Sequence, residues 1–183
     1  MDQNSQLDHI NDALHRARQD AAGRVTDGEG EKSLAGKYLT FFLGGEEYGL
    51  QILKVREIIG MQEVTRVPQT APFVLGVINL RGKVIPVIDL RLRFGLPPRE
   101  ADERTCIIVV GVEGASGQEM LISVKVDEVS EVANIQPDEV EETPSFASDL
   151  ETTYILGMAK TEGRVKILLD IDRVIGDSQL VVA

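Results

Sequence analysis

Along the first 22 residues, apolar side chains return every three or four positions. Leu7, Ile10, Leu14, Ala17 and Ala21 fall on one face of a helix, and Ser5 is placed to cap it, so the spacing predicts a helix over about 6–22. Alone in water a helix of that length is marginal. It is therefore either disordered or docked on something. The segment from Gly23 to Gly36, rich in glycine and charge, reads as a flexible linker.

From Tyr38 the period changes to short apolar runs divided by turn signals. Strands are predicted at 38–43 and 48–53, joined by Gly44-Gly45-Glu46-Glu47 into a hairpin. Further strands are predicted at 74–80, 83–90, 104–112, 119–126, 154–160 and 164–170. Pro86 carries no amide hydrogen for a ladder bond, which assigns it to an edge or a bulge. Many short strands without intervening helices predict an all-β fold of small barrels or a sandwich.

A repeat sharpens that reading. The segment Gly76–Leu90 aligns without gaps, at an offset of 81, with Gly157–Ile171, sharing both glycines, a valine and an aspartate. Upstream, Val55-Arg56-Glu57-Ile58 matches Val126-Asp127-Glu128-Val129 at an offset of 71. The chain reads as two related β lobes: an extension over 1–36, a first lobe over 37–99 and a second over 100–178, with strands free to cross between lobes. Asp89 and Asp170, at equivalent steps, suit helix N-caps.

Net charge is −11, divided as −3 over residues 1–36, +4 over 37–99 and −12 over 100–183. Such a division fits either simple solvation or two faces with different partners. The single cysteine, Cys106, lies in the apolar run Cys106–Val110, which excludes an internal disulfide and points to an inert core thiol. No apolar stretch approaches a membrane span, and the first 20 residues scatter charge where a signal peptide needs an apolar segment. The expectation is a cytoplasmic protein with no membrane insertion.

Candidate chemistry is sparse. Both histidines, His9 and His15, precede the β region, and no phosphate-cradling motif is present. An aspartyl hydrolase built on Asp89 and Asp170 would need a Thr-Gly or Ser-Gly pair after each aspartate, where this chain has Leu90-Arg91 and Ile171-Asp172. A nucleic-acid-binding barrel is the other rival. Its stacking aromatics would have to come from Tyr38, Phe41, Phe42, Tyr48, Phe73 and Phe94, most of which sit in apolar runs or strand alternation that suits a core, and the pI near 4.7 opposes it.

The segments Glu46–Leu50, Ile52–Ile58, Gly76–Gly82 and Val84–Leu90 strongly resemble the CheW family, in order and spacing, and the likeness runs from about Lys37 to Ile175. The resemblance implies two SH3-like five-stranded β barrels side by side, with short helical turns. It implies a non-enzymatic adaptor without cofactor or metal. Such an adaptor binds the cytoplasmic hairpin tip of chemoreceptors (methyl-accepting chemotaxis proteins) in the groove between the barrels. It also binds the regulatory domain of the histidine kinase CheA at a barrel end, and so is recruited to receptor arrays. The served pathway can be motility or another chemosensory output. By position, Val55, Glu57, Gly76, Arg81 and Gly82 correspond to the family's receptor- and kinase-coupling residues. Glu57 and Arg81 are expected to form an ion pair, with Val55 and Ile58, and Leu80 and Val84, facing inward beside them. Two departures stand out: the long extension, and Ser123 where a small apolar residue or glycine is common.

Overall fold

The computed structural model describes residues 3–22, 34–114, 116–141 and 154–176. The chain opens with α1 (Gln3–Ala22), followed by β1 (Gly36–Leu43), β2 (Glu46–Gln51), a short 3₁₀ turn at Ile52–Lys54 and β3 (Val55–Gly60). Then come β4 (Val74–Leu80), β5 (Lys83–Asp89), α2 (Leu90–Arg93), β6 (Cys106–Glu113), β7 (Glu119–Val126) and β8 (Glu128–Ile135). The chain closes with β9 (Val140–Glu141), β10 (Ile155–Thr161), β11 (Arg164–Leu169) and α3 (Ile171–Ile175). No helix among the described residues is long and apolar enough to cross a membrane.

The strands form two mixed sheets, ordered β8-β1-β2-β11-β10-β9 and β3-β6-β7-β5-β4. Pairing thus runs across the expected division at 99/100. The first hairpin, β1–β2, joins the C-terminal strands, and β6–β7 join the first half. The parallel contact of β2 with β11 explains the exchange: it sets Leu50 opposite Leu169 and brings the buried Glu47 within 3.7 Å of the buried Lys166. The charge division along the chain is consequently not a division between sheets.

The repeat is nonetheless real in three dimensions. The β4–β5 and β10–β11 hairpins share a register shift before the first glycine (Val74/Gly76 and Ile155/Gly157). Each then turns through two residues of positive φ, Arg81-Gly82 and Glu162-Gly163. Each ends at an aspartate whose amide donates to an aromatic residue's carbonyl, Asp89 to Phe73 and Asp170 to Tyr154, both at 2.8 Å. The aspartates cap α2 and α3 as expected. Asp89 accepts from the amides of Arg91 (2.9 Å) and Leu92 (3.4 Å), whereas Asp170 accepts from the amide of Arg173 (3.3 Å). Asp89 is also buried 3.8 Å from Lys125. Asp89→Ala should therefore cost about 2–4 kcal/mol, losing a cap and stranding a mostly buried cation, against about 0.5–1 kcal/mol for Asp170→Ala. Urea unfolding of both variants checks the difference.

Pro86 sits in β5 opposite Val77, and β5 pairs with β7 only from Val87 onward. The proline therefore falls where the ladder toward β7 begins, an internal edge. Ser123 is buried opposite Val87 and donates to the Pro86 carbonyl at 2.8 Å. A hydroxyl is tolerated there because that carbonyl takes its proton. One large cluster, with Leu39, Phe41, Leu50, Ile108, Val124 and Val129 at its centre, draws from both sheets, and each sheet encloses a smaller cluster of its own.

The N-terminal helix is docked. It begins at Gln3 rather than after Ser5, so Ser5 lies inside it. Its start is held by tertiary contact, the Gln3 carboxamide donating to the Thr105 carbonyl at 3.3 Å. Most of the predicted linker lies outside the described residues.

Candidate functional site

β3 alternates poorly because Arg56 and Glu57 interrupt its apolar residues, with a register shift between Val55 and Glu57. Val55 and Ile58 point into the shared core, at 0% and 2% exposure. Glu57 is left at the rim. Opposite it, the β4–β5 hairpin turns through Arg81 (φ 49°) and Gly82 (φ 86°), the left-handed pair that matches strand twist. The Asn79 carboxamide oxygen accepts from the Gly82 amide at 2.9 Å and fixes the turn.

That turn delivers Arg81 to Glu57. The guanidinium is bidentate: Nη1 donates to Oε2 at 3.3 Å and Nη2 to Oε1. Hydrogen bonding to Glu57, then its charge, raises the Arg81 pKa. Arg81 is 71% exposed and Glu57 27%. β3 and β4 are the two end strands of their sheet, and this pair links β3 to the turn that leaves β4.

Beside the pair opens a groove of about 510 Å³, floored by Leu80, Ile85, Val109 and Leu121 and rimmed by charge. Arg56 and Glu119 form a second ion pair there. Neither was legible in the chain, since they meet only through the β3-β6-β7 adjacency. Val84, expected to face inward, is instead 70% exposed. Strand alternation sends Ile85 and Val87 inside, so Val84 must point out. Its counterpart in the repeat, Val165, is likewise 50% exposed.

Gly76 stands apart from this ion pair. Its φ is +144°, and an added Cβ would lie 2.1 Å from the Thr65 carbonyl oxygen, so backbone geometry alone requires glycine there. Among the described residues no group of His, Cys, Asp and Glu is arranged to hold a metal. Burial pushes the Cys106 thiol pKa up, against the thiolate.

These features define a class: a two-sheet β scaffold with charged pairs at its surface beside a shallow apolar-floored groove. The family model of the CheW-like domain matches residues 37–179. Similar proteins include the chemotaxis protein CheW of Klebsiella aerogenes, 39% identical over 79% of this chain and 84% of its own. That of Rhizobium meliloti is 34% identical over 84% and 92%. The crystal structure of the scaffolding protein TtCheW from Thermoanaerobacter tengcongensis superposes with a TM-score of 0.70, at 33% identity, covering 81% of this chain and 99% of that one. The chain belongs to the CheW-like domain family, and it is a non-enzymatic member.

Proposed function

We propose that this protein is a cytoplasmic chemotaxis adaptor, recruited to receptor arrays, that binds the cytoplasmic tip of chemoreceptors and the regulatory domain of CheA, coupling one to the other. In this reading each sheet closes into an SH3-like barrel. Val55 and Glu57 on β3, with Gly76, Arg81 and Gly82 on the neighbouring hairpin, form or support the coupling surface. The observation that carries it is the bidentate Glu57–Arg81 pair beside the apolar-floored groove. An exposed ion pair next to apolar floor suits partner recognition, since burial by a partner strengthens its electrostatics.

Binding is tested by titrating labelled full-length protein with a receptor-tip hairpin fragment and a CheA regulatory domain, separately and together. The reading predicts binding to each alone and a ternary complex. Binding to neither would overturn it. On-rates to at least one partner should fall between 50 and 500 mM salt, as screening at about 1 M shortens the Debye length to about 3 Å. Salt-independent rates for both would assign the charged rim to solubility.

A further inference from the structure

The residues matched by the family begin at 37, yet α1 lies wholly before them and is seated on the domain. It runs against β3 and β8, the two edge strands that face it from different sheets, and touches β1 and the 3₁₀ turn. Leu7, Leu14 and Ala17 are buried in the shared core cluster with Val55, Ile58, Cys106 and Val129, and Ile10 and Ala21 pack at its margin. Asn11 faces the open edge of β3. Its carboxamide donates to the Ile58 carbonyl and accepts from the Ile58 amide, both at 2.9 Å, filling the pair of bonds a neighbouring strand would have made.

The fit is imperfect at the other end of the helix. Arg18 Nε is buried without a hydrogen-bond partner among the described residues. Arg18 also faces a like charge: burial first, and then Arg18, lower the Arg56 pKa. The ion pair α1 makes to the body, Asp20 to Lys37 at 3.1 Å, has its carboxylate 64% exposed. Near Leu7 a cavity of about 160 Å³ remains between helix and sheet, lined by Ile10, Cys106 and Val129 among others. An apolar stripe at 3-4-3-4 spacing therefore holds a helix that is polar elsewhere and carries one buried guanidinium nitrogen without a hydrogen-bond partner among the described residues.

We propose that α1 is a displaceable occupant of a helix-binding groove between β3 and β8, which it keeps closed until an amphipathic helix of the receptor tip takes its place. The inference rests on the adaptor reading, which puts Val55 and Glu57 of β3 at the coupling surface. The occupant class follows from α1 itself: the groove already accepts a helix with apolar residues at i, i+3 and i+4 spacing. Apparent affinity for the partner helix is the intrinsic affinity multiplied by the fraction of molecules with the groove open.

The chain's single cysteine reports the state of α1, because Cys106 lies beneath the start of the helix and is 4% exposed. In full-length protein, Leu14→Asp should raise Cys106 alkylation by iodoacetamide about tenfold or more and tighten binding of the receptor-tip hairpin fragment about tenfold. Arg18→Ala, which removes that unsatisfied nitrogen and the like charge beside Arg56, should act oppositely, slowing alkylation and weakening hairpin binding about threefold. Asn11→Pro breaks the helix by a different route and should reproduce Leu14→Asp. Faster alkylation in both unseating variants with unchanged hairpin affinity would overturn the competition and leave the adaptor reading standing. Unchanged alkylation in both would show that α1 does not cover the groove, and would equally overturn it. Loss of hairpin binding in wild type and variants alike would remove the adaptor reading, and this inference with it.

Discussion

Gly76→Ala is expected to lower the stability of this protein by about 3–5 kcal/mol, a fall in Tm of about 10–15 °C. The new methyl would stand 2.1 Å from the Thr65 carbonyl oxygen and 3.0 Å from the Arg66 Cα, both of them backbone. Backbone cannot swing aside as a side chain does. The strand must move, and it would take with it the reciprocal bonds that tie Thr65 to Val77, 2.9 and 2.8 Å long. Gly157, the repeat counterpart, provides the control: its Cβ would meet the tip of the Leu34 side chain at 2.6 Å and the Glu141 carbonyl only at 3.4 Å. Leu34 can rotate, so Gly157→Ala should cost about 1 kcal/mol or less. Equal losses on urea unfolding would mean that the close approach at Thr65 does not dictate glycine.

Arg81→Ala should weaken association with the receptor tip or with the CheA regulatory domain about tenfold or more while shifting Tm by no more than about 2 °C. The side chain is 71% exposed, so water replaces Glu57 readily in the free protein. Under a bound partner no such replacement exists, and Glu57 would be left desolvated and unpaired. A double-mutant cycle with Glu57→Ala should give non-additive binding losses. Additive losses would place the two residues on separate surfaces, and a large drop in Tm with normal binding would make Arg81 a structural residue.

The chain announces its hairpins because their signals are local. Gly44-Gly45, Arg81-Gly82 and Glu162-Gly163 each supply two successive positive φ values between apolar runs, and the two capping aspartates follow at a fixed step. The Glu57–Arg81 contact was also legible, since each residue ends an apolar segment and the resemblance sets both among coupling positions. Strands β3 and β8 were harder to see. Charges at Arg56, Glu57, Glu128 and Glu131 break their alternation, and these strands are recognised by their partners rather than by their own residues. The interleaving of the sheets had no local signature at all. It depends on which edge β2 meets, decided by Glu47 against Lys166 and by the core beneath Leu50. The docking of α1 followed the same rule: its stripe predicted a helix, but only the edge of β3 shows why Asn11 interrupts that face.

Coupling itself is tested most directly by kinase output. CheA autophosphorylation should be measured on receptor-bearing membranes with and without the full-length protein. The adaptor account predicts receptor-dependent stimulation only when receptor, kinase and this protein are all present, a response diminished by Arg81→Ala, and no phosphate on the protein itself. Kinase activity indifferent to its addition, or stoichiometric labelling of the chain, would contradict the account.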